Sequence, residues 1–387
     1  MQAPVKIDSE KWLELVSGKT RGVVPTLQRT LLALASLPYN LVMRIRNRLY
    51  DAGFFKQHKI CVPVIVVGNL TVGGTGKTPA VEYVARFARQ HDRKVAILSR
   101  GYGSTEGRND EALVLEANLD DVPHLQGVDR VSLARTAVEE LESDLLVLDD
   151  GTQHRRLKRD LDIVLIDATN PWGYGWCLPR GLLREPRTGL KRAGMILITR
   201  SDQVTEVRLN QLHDEIDKLA PGCPVVMSRH APQSLQNTTD ELPVNQLTGH
   251  TVAALCGIGN ADGFWKTLRQ LGCNLIDQKQ FPDHYQYQRD DVQALQHWAA
   301  QLPADTWIIT TQKDWVKLRI DRLSDKPLWS LRIALEITQG RLAFESTLLN
   351  LMGGASRDRS APLSKPDSSS LPFSSKDAYD YASTSPV

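Results

Sequence analysis

"VIVVGNLTVGGTGKTPAV", residues 64–81, decides how the rest of the chain is read. A β-branched run enters a glycine-rich turn, and the turn opens into a segment with apolar residues at helical spacing (Val81, Val84, Ala85, Ala88). Strand, turn and helix in that order are the context a phosphate-binding loop needs. Gly73, Gly74 and Gly76, with Thr75 among them, let successive backbone N–H groups face phosphate oxygens, and the helix N-terminus adds partial positive charge. In such a loop Lys77 reaches the β- and γ-phosphates of a nucleotide, and the Thr78 hydroxyl coordinates Mg²⁺. Pro79 falls in the first helical turn, where a missing N–H costs little. One position departs from the pattern G-x-x-x-x-G-K-[ST]: Thr71 stands where the first glycine belongs.

The same grammar repeats downstream. "KVAILSR" (94–100), "SDLLVLDDG" (143–151), "DIVLIDA" (162–168) and "GMILITR" (194–200) are short, continuously apolar runs. Such runs mark strands buried on both faces, hence a largely parallel sheet. A further α/β unit begins near Gly222 and runs through "TVAALCGIG" (251–259) to "TWIITTQKDWVKL" (306–318). The predicted fold is therefore a P-loop NTPase-like α/β/α sandwich with a mainly parallel sheet, plus a second, smaller α/β lobe. In "SDLLVLDDG", Asp149 and Asp150 end a hydrophobic strand, the placement of a carboxylate that holds Mg²⁺ beside a phosphate loop.

Composition narrows the partners. The 387 residues are 41% hydrophobic and 24% charged, and 47 basic against 45 acidic residues leave a net charge of +2. That balance gives no basic field for nucleic acid, and no protein partner is evident. Cys61, Cys177, Cys223, Cys256 and Cys273 are scattered without C-x-x-C spacing, which argues against a disulfide framework or a zinc site and for a reducing compartment. Near the N-terminus, residues 31–43 are apolar, interrupted by Pro38 and flanked by Arg29 and by Arg44, Arg46 and Arg48. This is shorter than the roughly 20 apolar residues a spanning helix needs. It suits a helix lying in a membrane interface, arginines at the headgroups, or a buried, kinked helix. A loop with two adjacent glycines before x-G-K-T also occurs in membrane-associated switch ATPases of the partitioning type, but their signature lysine falls at Val72 here.

Seven motifs in order, "VGNLTVGGTGKTP", "LSRGYG", "LDDGTQHRRLKRDLDIVLID", "WGYGWCLPRGLLREP", "GIGNADGFW", "FPDH" and "TTQKDWVKL", make the chain resemble the tetraacyldisaccharide 4′-kinase family over roughly residues 28–350. In that family Thr71 is the expected residue. The resemblance implies an ATP- and Mg²⁺-dependent lipid kinase that phosphorylates the 4′-hydroxyl of a tetraacyldisaccharide 1-phosphate. Its partners would be ATP and a glycolipid at the membrane surface. It also implies two lobes and an N-terminal helix on the cytoplasmic face of the inner membrane. The corresponding division is a polar extension (1–24), an interfacial helix (25–50), a P-loop kinase domain (51–220), a second lobe (221–350) and a disordered tail (351–387).

The resemblance further implies roles. Asp110 of "RNDEALVL" matches the family's catalytic base and Glu111 the neighbouring acidic residue, taken here as a metal ligand with Thr78, Asp149 and Asp150. Asn109 replaces the family's glycine, and the stretch before it is short. His284 of "FPDH" would orient the base from the second lobe, and Arg100, Arg180 and Arg184 are candidate contacts for substrate phosphate or nucleotide. A homologue that has lost activity would be a third reading, resting only on Asn109 and the short loop.

Overall fold

The structure, a computed structural model, describes residues 9–101 and 110–354. Asn109 and the stretch before it, residues 1–8 and residues 355–387 lie outside the described residues. Its frame is one 13-stranded sheet made of two parallel halves. In the first half β1 (Val64–Asn69), β2 (Val95–Ser99), β3 (His124–Gln126), β4 (Leu145–Asp149), β5 (Leu161–Asp167), β6 (Met195–Thr199) and β7 (Val225–Gln236) run parallel in the order β3-β2-β4-β1-β5-β6-β7. Short β8 (Glu241–Pro243) pairs with β7. The second half holds β9 (Thr251–Cys256), β10 (Asn274–Gln280), β11 (Trp307–Thr311), β12 (Arg322–Leu323) and β13 (Lys326–Gln339), with β10, β9, β11 and β13 parallel to one another.

The halves meet where β7 and β13, the two longest strands, pair antiparallel. The second lobe is therefore continuous with the first through its sheet. Every residue of β1, β2, β4 and β6 is buried, as continuous apolar runs require of strands covered on both faces.

Ten α-helices complete the described fold: α1 (Ser9–Ser17), α2 (Val23–Asp51), α3 (Lys77–Gln90), α4 (Asp110–Asn118), α5 (Arg130–Glu139), α6 (Glu206–Leu219), α7 (Ala261–Gln270), α8 (Arg289–Ala300), α9 (Gln312–Leu318) and α10 (Arg341–Gly354). Helix α3 buries Val81, Val84, Ala85 and Ala88 against β1, β2 and β4. Helix α10 returns to the same core from the far end of the chain, inserting Phe344, Leu348 and Met352.

Helix α2 is built the other way round. Its 29 residues run unbroken through Pro38. Three of its polar residues face the protein: Tyr39 Oη donates to the Arg184 carbonyl (2.7 Å), Arg46 to the Gln153 carbonyl (2.8 Å) and Asn47 to Glu185 (2.8 Å). Leu27, Leu31, Leu34, Leu37 and Leu41 lie exposed. No described helix is long and apolar enough to cross a membrane.

Candidate active site

The loop after β1 explains why Thr71 stands in place of glycine. Residues 71–72 are zipped to residues 182–183: Thr71 bridges Leu183, and Val72 N–H donates to the Leu182 carbonyl at 2.7 Å. A residue held in a bridge needs no positive φ, so glycine has no advantage there. The demand falls on Gly73 (φ 112°) and on Gly76 (φ 88°), which caps α3. A Cβ on Gly76 would lie 2.4 Å from His230 Nε2, so the residue is fixed by space as well as by backbone conformation. Burial holds the His230 imidazole neutral, pushing it down to about 4.

Asn69, the last residue of β1, ties the loop internally. Its Nδ2 donates to Thr75 Oγ1 at 2.8 Å, its Oδ1 lies 3.4 Å from Lys77 Nζ, and its carbonyl accepts from Gln153. Thr199 holds the Thr75 carbonyl (2.9 Å) and Arg200 the Gly74 carbonyl (2.8 Å). The N–H groups of the first turn of α3 are left free by helix geometry to meet an anion, with Lys77 and Thr78 buried beside them.

The acidic residues gather over this loop. Register pairing sets Asp149, at the end of β4, beside Val67 of β1. Asp150 takes φ 54° just beyond, with both carboxylate oxygens 2.7 Å from Arg184 Nη1 and one oxygen 3.5 Å from Lys77 Nζ. Glu111 pairs with Lys313 at 2.8 Å. Burial, reinforced by Glu111 and Asp150, pushes Asp149 up to about 7, and its Oδ1 is buried without a hydrogen-bond partner. An orphaned carboxylate oxygen destabilised by neighbouring charge is what a cation would relieve. No cluster of three or more His, Cys, Asp or Glu poised for a metal occurs among the described residues. Mg²⁺ does not require one, since it is commonly held by one or two carboxylates and completes its octahedron with phosphate oxygens and water.

Asp110 begins α4, and residue 284 of the second half meets it. His284 Nδ1 lies 2.9 Å from Asp110 Oδ2 and 3.1 Å from Oδ1. His284 holds φ 59°, a left-handed conformation that turns the ring inward from an exposed loop. Burial pushes the Asp110 carboxyl up, but the His284 hydrogen bond and the charges of Lys313 and Lys317 outweigh it and hold it at about 2. The same hydrogen bond raises His284 above the usual imidazole value against the opposing effect of burial.

The arginines separate. Arg184 belongs to the Asp150 corner, where the two form an ion pair at 2.7 Å. Arg180 donates to the Val16 carbonyl of α1 (3.1 Å) and lies over the Trp176 ring, away from that corner. Arg100 follows β2 directly and is exposed. Residues that motif reading passed over also line the site: Asn69, Arg130, Gln153, Arg200, Lys313 and Lys317. Arg130, at the start of α5, is buried and feels Arg100, Asp149 and Asp150. The one sequence signal was the i, i+4 spacing of Lys313 and Lys317 in "TTQKDWVKL", which puts two cations on one helical face.

Comparison with known proteins agrees along almost the whole chain. The family model of LpxK, tetraacyldisaccharide-1-P 4'-kinase, matches residues 28–353. The tetraacyldisaccharide 4'-kinase of Anaeromyxobacter sp. (strain K) is 38% identical over 352 residues, covering 86% of this chain and 93% of that protein. The Geobacter sulfurreducens protein of the same name is 36% identical, covering 79% and 89%. A crystal structure of LpxK from Aquifex aeolicus in complex with ATP aligns with a TM-score of 0.68 at 30% identity, over 84% of this chain and 99% of that one.

Proposed function

We propose a residue-level mechanism for this chain, which belongs to the tetraacyldisaccharide-1-P 4'-kinase family. The reaction is the family's: the γ-phosphate of ATP passes to the 4′-hydroxyl of a tetraacyldisaccharide 1-phosphate, forming lipid IVA in lipid A biosynthesis. A partitioning-type switch ATPase is not favoured, since the family match covers residues 28–353. Intact Lys77, Thr78, Asp149, Asp150 and His284 speak against a homologue without activity.

The observation that carries the mechanism is the Asp110–His284 contact, made across 174 residues of sequence beside a phosphate loop. Lys77 and the first-turn N–H groups of α3, with Gly73, Gly74, Thr75 and Gly76, cradle the phosphates. Thr78 and Asp149, with Asp150 and Glu111 beside them, would hold Mg²⁺. Bound there, Mg²⁺ would supply positive charge to offset that of the phosphates. Asp110 is ionised throughout the working pH range and serves as the base for the acceptor hydroxyl. At about 2 its own basicity is low, so the proton is taken by the Asp110–His284 pair as a unit, with His284, raised above the usual imidazole value by its hydrogen bond to Asp110, as the more basic member. Arg130 and Arg100 line the same corner and suit a phosphate group.

The two sheet halves act as lobes, the first running through β7 (Val225–Gln236), beyond the expected division near residue 221, and α10 carries the packed chain to Gly354, past the expected boundary at 351. Helix α2, which spans the 25–50 segment, lays its exposed leucines into the cytoplasmic face of the inner membrane. Its inverted packing, polar face to protein and apolar face outward, supports this. Arg44 and Arg48 stand near anionic headgroups.

The test incubates purified protein with a detergent-dispersed tetraacyldisaccharide 1-phosphate and radiolabelled ATP, with and without Mg²⁺. Labelled bisphosphorylated lipid should form only with Mg²⁺, and Asp110→Ala should lose roughly 10²–10³-fold in turnover while still binding ATP. Full turnover by that variant would remove Asp110 as the base.

A further inference from the structure

Lys317 of α9 is a buried cation that the mechanism above does not use. Its side chain is 5% exposed, and Nζ makes no hydrogen bond among the described residues. An ammonium withdrawn from water without compensation costs several kcal/mol, so its surroundings must offset that cost. They do so by charge: Asp314 Oδ1 lies 3.6 Å away, Asp110 Oδ2 lies 3.8 Å away, and the Tyr287 ring centroid is 5.7 Å from Nζ.

The two carboxylates are not equivalent. Asp314, on the same helix, is fully buried and saturated. It accepts from the Gly257 N–H (3.0 Å), Tyr287 Oη (3.0 Å) and Thr311 Oγ1 (2.6 Å). It is a fixed anchor built from the second half of the sheet. Asp110 is on the first half, and its carboxylate accepts from the Glu111 N–H at Oδ1 (3.1 Å) and from His284, carried by an exposed loop. The Glu111 N–H holds Oδ1 locally, whereas Oδ2 is met by His284 as its hydrogen-bonding partner among the described residues. Lys317, rooted in a buried anchor, adds a fixed charge beside Oδ2. At 3.8 Å, Lys317 attracts Oδ2 without making a hydrogen bond, so a lone pair stays open for the acceptor proton.

We propose that Lys317 is a positioning residue for phosphoryl transfer, holding the Asp110 carboxylate from the second half of the sheet in the orientation that meets the acceptor hydroxyl. Lys313, one turn earlier, does the parallel service for Glu111 at 2.8 Å, so α9 grips both acidic residues at the start of α4. The proposal rests on the reading of Asp110 as base, and the experiment separates the two.

Steady-state kinetics on the full chain would compare Lys317→Met, Lys317→Arg, Asp110→Ala and the Asp110→Ala/Lys317→Met double variant, with ATP affinity and melting temperature measured for each. Lys317→Met should lower kcat roughly 100-fold, as misplacement of a reacting group does. ATP affinity should stay within about twofold, because a positioning role leaves ground-state nucleotide contacts alone. Lys317→Arg should recover kcat to within about tenfold of the parent, because it restores the charge without the same point geometry. In the Asp110→Ala background Lys317→Met should cost nothing more, since the residue acts through Asp110.

Unchanged kcat in Lys317→Met, or an equal further loss in the Asp110→Ala background, overturns the proposal. So does a kcat loss matched by lost ATP binding and melting temperature. If Lys317→Met does not fold, Lys317→Arg decides: a kcat loss that recurs in full in the Asp110→Ala background refutes the role, and a loss absent from that background supports it. An Asp110→Ala enzyme with full turnover instead refutes the base itself, a separate outcome.

Discussion

The two halves of the sheet build the site by different means. The first half supplies it from the ends of buried parallel strands: the loop after β1, Asp149 at the end of β4, Arg200 just past β6. These positions are fixed by backbone pairing, and even a methyl group on Gly76 would collide with His230. The second half contributes no strand end to the phosphate loop. It reaches across with side chains alone, His284 from a loop and Lys313 and Lys317 from α9. A backbone cradle can bind phosphate in any state of the molecule, whereas a base assembled from both halves exists only when they are packed together. On the proposed mechanism, binding is built into one half, and catalysis into the contact between them.

This contrast can be broken at several points. Lys77→Ala should have the largest effect, roughly 10³-fold in kcat, because it removes charge at the transferring phosphoryl group itself. Equal loss on removing any second-half residue would erase the distinction. His284→Asn should cost less, roughly 10–100-fold, with ATP affinity unchanged, measured by kinetics and calorimetry.

That variant also carries a pH signature. The raised His284 pKa places the acid limb of kcat/KM above about 6.5 in the parent. Without His284 the limb falls to the carboxylate range and so moves to lower pH. The signs for stability follow from the same shifts. The His284 contribution is complete below its unfolded value and is lost as pH rises through the higher folded value. The depressed Asp110 contributes above its unfolded value and loses that contribution as pH falls toward about 2. Melting curves of parent and His284→Asn should therefore converge on the alkaline side.

Phe344→Ala probes the frame rather than the chemistry. It empties a fully buried site where α10 packs beside α3, and should cost about 3–5 kcal/mol in denaturant unfolding. Leu31→Asp with Leu34→Asp should leave stability and the detergent-dispersed rate nearly unchanged, because both side chains are exposed. Sedimentation with anionic vesicles should nevertheless fall, and unchanged sedimentation would mean α2 is not the docking face.

What the sequence disclosed follows from how local each signal is. The phosphate loop, the paired aspartates and the buried parallel strands are contiguous patterns whose chemistry is set by neighbouring residues. Asp110 and His284 were found only through resemblance to a family, since 174 residues separate them and nothing local joins them. Arg180 and Arg184 show the opposite limit. Both are arginines in one motif, yet one reaches α1 and the other Asp150, a difference that no spacing encodes.

The sequence by itself therefore determined the fold class, the nucleotide loop and the family, because strand periodicity, glycine placement and motif order are properties of adjacent residues. Only the tertiary structure decided that Thr71 is held in a bridge, that α2 turns its leucines outward, and that α9 delivers Lys317 to Asp110. Each of these depends on which distant segment occupies the neighbouring space, and that is settled by packing the whole chain around one sheet.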